Sequence, residues 1–259
     1  MKDMKIVITM FLLVFVILIL LFICVMPARV KSNAQEKWSQ ANLAYEQGKF
    51  EESVAFYNDL LAQECGNADL YYNLGDAYYR TGKSGKALLN YRRAERLSPR
   101  DENIRFNLKY LRARINSSET EENILLRFGR SFFYFFSLNE LSAAVLILFL
   151  IFSIVMALYL FRKISSIGLK VISIVFGIVL IWAGVRIYLD DSVKEAVVVV
   201  SKAEARNGPG TEYQVIFTAP DGEEVVVLSR EKGWMEIGLP SRGLKGWVTG
   251  ESVELLKGP

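Results

Sequence analysis

Long runs of apolar residues interrupt the polar pattern of this chain in three places. The first run, Ile6 to Met26, contains 21 residues without a charge, and the second, Leu141 to Phe161, contains another 21. The third run, Ile167 to Leu189, contains 23 residues with Lys170 and Arg186 near its ends, where long basic side chains can reach lipid headgroups. A helix needs roughly 20 apolar residues to cross a bilayer, so the pattern predicts three transmembrane helices.

Two interpretations are open for the first apolar run. Lys2 and Lys5 precede it, as basic residues precede the core of a signal peptide, and Ser32-Asn33-Ala34 offers a cleavage site. The run is longer than the roughly 7–15 residues of a signal-peptide core, however, and the cleavage site lies beyond further basic residues. We therefore favour an uncleaved membrane anchor in residues 1–28.

The short loop between the second and third runs indicates the orientation of the chain. Residues 162–170 hold three basic residues and no acidic one, whereas acidic residues flank the other ends of these two helices. Because basic loops tend to stay in the cytoplasm, this pattern places residues 29–140 and 190–259 outside it.

A 34-residue period organises residues 35–115. The best copy of the repeated motif consists of Asn73, Leu74, Gly75, Tyr78, Gly82, Ala87, Tyr91, Ala94 and Pro99. This motif resembles the tetratricopeptide repeat, in which small residues lie where two antiparallel helices cross and glycine permits the turn between them. A degenerate copy lies 34 residues earlier, and residues 101–115 supply a single further helix. The resemblance implies two complete helix pairs and a capping helix.

The first helices of the successive repeats carry aromatic and polar residues at equivalent positions. Spacings of three and four residues keep these side chains on one helix face. In tetratricopeptide proteins that face lines a groove, so the resemblance implies a partner-binding groove formed by Trp38, Asn42, Tyr45, Tyr72, Asn73, Asp76, Tyr79, Phe106, Asn107 and Tyr110. The alternative is that these side chains pack between neighbouring repeats and bind nothing.

Basic residues are concentrated at the end of the second repeat. They are Arg92, Arg93, Arg96, Arg100 and Arg105. Such a group can bind an anionic partner, but charged runs on a helix are more often a solvated face, which is the interpretation that we favour.

Residues 116–140 connect the repeats to the second apolar run. Their first part is polar and is typical of a linker. Five consecutive aromatic residues, Phe132 to Phe136, then precede the apolar run. Aromatic rings are favoured in the headgroup zone of a bilayer, so we expect this segment to be interfacial.

Residues 195–257 change to short valine-rich runs separated by glycine. The alternation predicts about five strands, namely Ala196–Val200, Gln214–Thr218, Glu224–Leu228, Trp234–Ile237 and Gly246–Thr249. Asp221-Gly222 is a hairpin turn signal. This inventory is typical of a small all-β barrel.

Several motifs of this segment resemble the bacterial SH3-like domain. They are Ala205-Arg206-Asn207-Gly208-Pro209-Gly210 with Tyr213, Gly222, Gly233-Trp234 and Gly246-Trp247-Val248. In that family the barrel binds peptides, often of the cell wall, so the resemblance implies a ligand surface formed by Tyr213, Trp234 and Trp247. For Trp247 we favour a place in the core, Trp234 is evenly balanced between core and surface, and Tyr213 is expected to be exposed.

The composition excludes several kinds of active site. The 259 residues include no histidine and only two cysteines, Cys24 and Cys65, which removes histidine-based triads and zinc sites built from cysteine or histidine. Residues 29–140 hold 17 basic and 15 acidic side chains, a net charge of +2, and residues 190–259 hold 8 and 12, a net charge of −4. Neither part has the strongly basic balance of nucleic-acid-binding domains. We expect no catalytic residues, no metal or cofactor and no nucleic-acid partner.

The expected architecture is a multidomain membrane protein. It combines an all-α tetratricopeptide repeat pair with a capping helix, three transmembrane helices and a C-terminal all-β SH3-like barrel. This order resembles the BatE-type proteins of bacterial aerotolerance operons, which also encode von Willebrand A-type membrane proteins and a MoxR-type ATPase. The resemblance implies a multi-pass protein of the bacterial inner membrane whose soluble domains face the periplasm or the exterior.

The same resemblance implies a non-enzymatic adaptor of an envelope complex with a role in stress tolerance. Its partners would be the lipid bilayer and other proteins, including those of the von Willebrand A and MoxR types. One alternative is a cell-wall sensor that binds peptidoglycan peptides and recruits a regulator. Another is a hidden hydrolase, which the absence of histidine disfavours.

Overall fold

The computed structural model describes residues 31–63, 66–115, 129, 132–161, 165–239 and 242–257. The chain divides into two compact units, one formed by Met1–Glu36 with Ala144–Ile181 and the other by Lys37–Ala143 with Trp182–Pro259. The first apolar run, most of the polar linker and Cys65 lie outside the described residues.

Five helices form the N-terminal part of the described chain, which we call the repeat domain. They are α1 (Lys31–Glu46), α2 (Phe50–Ala62), α3 (Ala68–Arg80), α4 (Ser84–Leu97) and α5 (Glu102–Arg114). Asn67 and Asp101 cap α3 and α5 by accepting hydrogen bonds from backbone N–H groups of the first turn. Gly48 and Gly82 have φ angles of 75° and 76°, which make the turns inside the two helix pairs. The predicted helical repeat region is therefore confirmed.

Small residues allow the helices of the second pair to pack closely. A Cβ atom at Gly75 of α3 would come within 2.8 Å of ring carbons of Tyr91 on α4. Ala87 and Ala94 of α4 are fully buried. Leucines fill the remaining space between α3, α4 and α5, namely Leu70, Leu74, Leu88, Leu108 and Leu111. The helix crossing thus requires the small side chains that the repeat motif supplies.

Two described helices are long and apolar enough to cross a membrane. They are α6 (Leu138–Leu160) and α7 (Ser166–Ser192). In the first unit, Phe152 of α6 stacks on Phe176 of α7 with ring centroids 5.6 Å apart. We expected three such spans, and the structure contains two among the residues it describes; the first predicted span lies outside them.

The C-terminal part of the second unit is all-β and is called the β-domain here. Its strands are β1 (Glu195–Val198), β2 (Lys202–Arg206), β3 (Val215–Pro220), β4 (Glu224–Glu231), β5 (Trp234–Leu239), β6 (Leu244–Thr249) and β7 (Val253–Leu255). They form one antiparallel sheet in the order β3-β2-β6-β5-β4-β1-β7. Side chains from both ends of this order, Ala219 of β3 and Val253 of β7, join one hydrophobic core. The sheet therefore curves around its own interior.

The sequence pattern missed two of these strands. In β2 the inward residues are alanines, Ala203 and Ala205, and the alternate residues are charged, so the segment lacks the large β-branched residues that mark a strand. Strand β7 has three residues and follows a short 3₁₀ helix, Gly250–Ser252. Both strands are defined by their pairing with neighbours rather than by their composition. Strand β2 pairs with β3 and with β6, and strand β7 pairs with β1.

Arginines of the repeat domain contact carboxylates of the β-domain within the second unit. Arg92 of α4 lies 3.1 Å from Glu195 and 3.0 Å from Glu224. Arg112 of α5 donates two hydrogen bonds to the Glu224 carboxylate, at 2.8 and 3.0 Å. Two helices of the repeat domain therefore bind one carboxylate of β4.

Two further arginines of α4 extend this interface. Arg93 donates to the backbone carbonyls of Leu255 and Leu256, at 2.8 and 3.1 Å, and pairs with Glu254. Arg96 forms an ion pair with Asp190 at 2.9 Å. The interpretation of this basic group as a solvated face is therefore wrong for these residues. The group does bind anions, but the anions belong to the same chain.

The interface also supplies a cap for α4. Lys83 at its N-terminal boundary provides no side-chain cap, whereas the carboxylate of Asp221 accepts hydrogen bonds from the backbone N–H groups of Ser84 and Gly85. A Cβ at Gly85 would collide with Asp221 and with the carbonyl of Val198. The hairpin turn predicted at Asp221-Gly222 thus also closes the end of a helix in the other domain.

Candidate functional site

The outer face of the β-domain brings together two of the three predicted ligand residues. Trp247 of β6 lies opposite Glu236 of β5 and opposite Arg206 of β2. Trp234 is two residues before Glu236 and therefore shares its face of the sheet. The two indoles are diagonal neighbours on adjacent strands, with one basic and one acidic side chain beside them.

The outward position of Trp247 corrects one expectation. We favoured a place in the core for this side chain, but its neighbour Val248 is the residue that enters the core. Successive side chains of a strand point to opposite faces, so Trp247 lies outside, and the core interpretation is wrong. The same alternation with Met235, which packs against the core, places Trp234 outside.

Tyr213 is exposed at the end of the loop between β2 and β3. Arg206 holds this loop by donating to the carbonyl oxygens of Thr211 and Tyr213, at 2.9 and 2.8 Å. The ring of Tyr213 lies against Gly208, where a Cβ would come within 2.7 Å of it. Arg206 also lies opposite Trp247 in the register of β2 and β6, so the residue that holds the tyrosine loop is the strand neighbour of this tryptophan.

In the repeat domain, several predicted groove residues form a hydrogen-bond network between helices. Asn107 of α5 donates to the Tyr72 hydroxyl at 3.0 Å and to the Asp76 carboxylate at 3.1 Å. The hydroxyl of Tyr91 donates to the same oxygen of Asp76. Helices α3, α4 and α5 are thus joined through one carboxylate. These contacts favour inter-repeat packing as the role of Tyr72, Asp76 and Asn107.

An equivalent arrangement joins the first pair to the second. The hydroxyl of Tyr57 on α2 donates to Asn42 of α1 at 2.6 Å, and Asn73 of α3 also hydrogen-bonds with it. The ring of Trp38 packs edge-on against Tyr57 at 6.0 Å. Burial raises the pKa of Tyr57 to about 12, so the hydroxyl stays protonated and donates at neutral pH.

The buried carboxylate of the network is itself perturbed. Burial raises the pKa of Asp76 above its usual value, although the hydrogen bonds from Tyr91 and Asn107 oppose this shift. Burial next to Asp76 also raises the pKa of the Tyr91 hydroxyl. The Tyr91 hydroxyl therefore stays protonated and donates to the Asp76 carboxylate, which burial has removed from much of its hydration.

Other predicted groove residues remain open to solvent. The exposed fractions of Phe106 and Tyr110 on α5 are 69% and 50%. The rings of Tyr79 and Tyr110 meet edge-on at 6.2 Å. Tyr45 is half-buried and packs edge-on against Phe50 at 5.2 Å. The ten predicted residues thus divide into a packed network and an exposed aromatic surface.

Two arginines belong to this aromatic surface and were missed from the sequence. Arg114 donates to the Tyr79 hydroxyl at 2.5 Å, with its guanidinium 5.5 Å from the ring centroid. Arg80 lies over the Phe50 ring at 4.8 Å. The signal was present for Arg114, because it follows Tyr110 by four residues and so shares its helix face.

Comparisons with known protein families identify both domains. Residues 39–102 match the model of the tetratricopeptide repeat, and residues 201–254 match that of the bacterial SH3 domain. The chain combines these two kinds of domain. The matches agree with the domain content predicted from the motifs around Gly75 and Trp247.

Curated relatives resemble only parts of the chain. A putative N-acetylmuramoyl-L-alanine amidase, YrvJ, of Bacillus subtilis (strain 168) is 42% identical over 48 residues, which cover 18% of this chain and 9% of the relative. Tetratricopeptide repeat protein 28 of Mus musculus is 36% identical over 74 residues, which cover 29% of this chain and 3% of the relative. The chain thus spans less than a tenth of the length of these curated relatives.

Proposed function

We propose that this protein is a non-enzymatic, membrane-anchored adaptor. Its tetratricopeptide repeats bind a protein partner through the exposed aromatic surface of Tyr79, Phe106 and Tyr110. Its SH3 domain binds a peptide or cell-wall ligand through Tyr213, Trp234 and Trp247. Repeats of this kind and bacterial SH3 domains are both binding modules, which supports interaction rather than chemistry as the function.

The observation that carries this proposal is the ionic interface between the two modules. Arg92 and Arg112 hold Glu224, and Arg93 holds the carbonyls of the C-terminal strand. None of these contacts uses Tyr79, Tyr110, Tyr213 or Trp247. The modules are therefore fixed to each other while both candidate surfaces stay open, as an adaptor with two simultaneous ligands requires.

The membrane location rests on α6 and α7 and is compatible with the same interface. The two helices lie between the repeats and the SH3 domain in sequence. If both cross the bilayer, the chain leaves and returns on one side, as the contact of Arg92 with Glu224 requires, whereas a single crossing would separate the two residues. Together with the basic loop of residues 162–170, this favours a hairpin with both soluble domains outside the cytoplasm.

For the SH3 domain we propose a cell-wall peptide as the ligand. One relative is described as a putative N-acetylmuramoyl-L-alanine amidase. This description supports a cell-wall peptide as the ligand of the SH3 domain. An extended peptide can stack on Trp234 and Trp247, which are half-buried on the outer sheet face, and hydrogen-bond nearby polar groups. For the repeats we propose envelope proteins, with von Willebrand A-type proteins and a MoxR-type ATPase as the first partners to test in a stress-tolerance role.

Two substitutions test the two surfaces separately in the full-length, detergent-solubilised protein. Tyr213→Ala should reduce co-sedimentation with purified peptidoglycan and leave crosslinking to protein partners unchanged. Tyr110→Ala should do the opposite. If Tyr213→Ala leaves wall binding intact while a protein ligand is lost, the SH3 domain binds protein. If neither variant changes any binding, the adaptor proposal is wrong.

The second candidate function is the cell-wall sensor, which uses the same surfaces with a regulatory outcome. It differs in requiring coupling between the ligands. Because the ionic interface involves neither candidate binding surface, we favour the adaptor, in which occupancy of the SH3 domain does not change partner affinity at the repeats. A change in partner affinity when soluble peptidoglycan fragments are added would favour the sensor.

A further inference from the structure

An aromatic turn precedes helix α6 and exposes several large rings. We use this name for Phe132–Phe136. The exposed fractions of Phe132, Phe135 and Phe136 are 72%, 48% and 38%. The turn is held in place by Ser137 and Glu140, since each residue's side chain accepts a hydrogen bond from the backbone N–H of the other, which is a capping box. A fixed patch of exposed rings next to an apolar helix requires an apolar or interfacial environment.

The aromatic turn packs on Trp182 of α7. Phe132 stacks nearly parallel to Trp182 at 6.1 Å, and Phe136 meets Trp182 edge-on at 5.8 Å. Trp182 directly follows Ile181, the last residue of the apolar unit. The aromatic turn before α6 and Trp182 of α7 therefore form one aromatic cluster.

Beyond Trp182, helix α7 makes contacts typical of a soluble domain. The Arg186 guanidinium is buried 3.7 Å from the centroid of the Tyr134 ring. One turn later, Asp190 pairs with Arg96 of the repeats. With 27 residues, α7 is about 40 Å long, which exceeds the roughly 30 Å hydrocarbon core. Its first 17 residues, Ser166 to Trp182, span about 25 Å and match the lower limit of roughly 17 residues for a transmembrane helix.

We propose that the aromatic turn and Trp182 together form a surface that binds the headgroup zone of the bilayer. The hydrocarbon core then ends at Trp182, seven residues before the end of the apolar run at Leu189. Aromatic rings favour this zone, and Arg100, whose guanidinium lies 5.0 Å from the Phe135 ring centroid, adds a cation there. The last turns of α7, from Arg186 onward, then lie outside the hydrocarbon core. This inference rests on the proposed membrane location.

The depth of Trp182 tests the inference in the full-length protein. The protein is reconstituted in phosphatidylcholine vesicles that carry a nitroxide quencher either at the headgroup or at the middle of the acyl chain. The signal of Trp182 is the difference between the protein and its Trp182→Phe variant, because the other tryptophans of the chain, Trp38, Trp234 and Trp247, lie in the soluble domains.

We expect stronger quenching by the headgroup quencher, with Trp182 about 15 Å from the bilayer centre, at the edge of the core. If the core instead extends to Leu189, Trp182 lies about 10 Å deeper, and the mid-chain quencher is stronger, which overturns the inference but keeps the membrane location. Absence of quenching at both depths overturns the membrane location as well.

A pair of variants tests the aromatic turn itself. Phe132→Asp combined with Phe135→Asp should lower the headgroup quenching of Trp182, because the turn no longer enters the headgroup zone. Leu228→Asp is the matched control, since it also charges an exposed apolar residue, but on the SH3 domain. An unchanged quenching profile in the turn variant would show that the turn does not bind lipid.

Discussion

Arg92 Nε lies 3.0 Å from Glu224 Oε1 and so joins a helix of the repeats to a strand of the SH3 domain. Glu195, Glu95 and Arg112 complete the ionic cluster around this pair. Residues 29–140 and 190–259 carry net charges of +2 and −4, and this contact pairs basic residues of the first part with acidic residues of the second. Regions far apart in sequence thereby form one body.

Arg92→Met should loosen the contact between the domains. The substitution removes the cation from a partly buried cluster that retains Glu224 and Glu195, and we expect it to cost roughly 1–2 kcal/mol. Hydrogen exchange of the β1 and β4 amides in the full-length protein measures the loss of protection. Arg105→Met is the control, because Arg105 is exposed and should change stability by less than about 0.5 kcal/mol. Equal protection in both variants would contradict the role of Arg92.

The same cluster predicts how the domain contact depends on pH. Burial raises the pKa of Glu224, but Arg92 and Arg112 lower it by more, so the folded value lies below the ordinary 4.5. A depressed carboxyl pKa gives stability that is fully present above pH 4.5 and is lost as the pH falls through the folded value.

Crosslinking between the domains as a function of pH measures this effect. We expect full crosslinking at neutral pH and a decline in acid below the ordinary glutamate range. Glu224→Gln should remove the decline of crosslinking in acid, because the carboxyl group that titrates is gone. If crosslinking declines in acid to the same extent in this variant, another carboxylate controls the contact.

The sequence predicted the domains well and their mutual contact not at all. Gly75, Ala87 and Ala94 identify the repeats because a helix crossing tolerates only small residues there. Arg92, by contrast, has the same local pattern whether it faces water or a distant strand, since its partner Glu224 lies beyond α6 and α7 in the sequence. The opposite net charges of residues 29–140 and 190–259 indicated that the two parts could attract each other, but they did not predict which residues pair.

Smaller errors have equally local causes. Trp247 was expected in the core, whereas the core of this small sheet is built mainly from valines and alanines, with Ile237 and Leu239, and has its tryptophans outside. Strand β2 was missed because its inward residues are alanines. For the candidate groove, the positions on one helix face were predictable, but the division into packed and exposed residues depends on partners such as Tyr91.

Gly85→Ala should separate the domains without unfolding either one. Its Cβ would collide with the Asp221 carboxylate and the Val198 carbonyl, so the turn at Asp221 must move away from the end of α4. Limited proteolysis between α7 and β1 should become faster while the secondary structure is retained. Gly75→Ala is the contrasting variant, because it overpacks the crossing with Tyr91 and should destabilise the repeats by about 1–3 kcal/mol. Identical behaviour of the two variants would contradict the assignment of Gly85 to the interface.

The predicted groove residues should separate by the role that each side chain has. Tyr72→Ala removes an acceptor of Asn107 and a ring packed 5.9 Å from Tyr91, so it should destabilise the repeats by roughly 1–3 kcal/mol. Tyr79→Ala together with Tyr110→Ala removes one half-buried and one exposed ring and should weaken partner capture while the thermal midpoint stays nearly the same. The measurements are thermal unfolding and partner crosslinking of the full-length protein. Severe unfolding of the Tyr79 and Tyr110 variant would mean that these rings are packing residues.

Reporter fusions should place both soluble domains in one compartment. Helices α6 and α7 separate the repeats from the SH3 domain in sequence, yet the ion pair of Arg92 with Glu224 requires the two to meet, which a membrane between them would prevent. A reporter inserted at Ser117 and another fused after Pro259 should therefore give the same result. The basic loop of residues 162–170 predicts that this result is an external location. Two cytoplasmic signals would reverse the orientation and exclude the cell-wall ligand, but would keep the domain contact. Opposite signals would contradict the contact itself, because Arg92 and Glu224 would then lie on different sides of the bilayer.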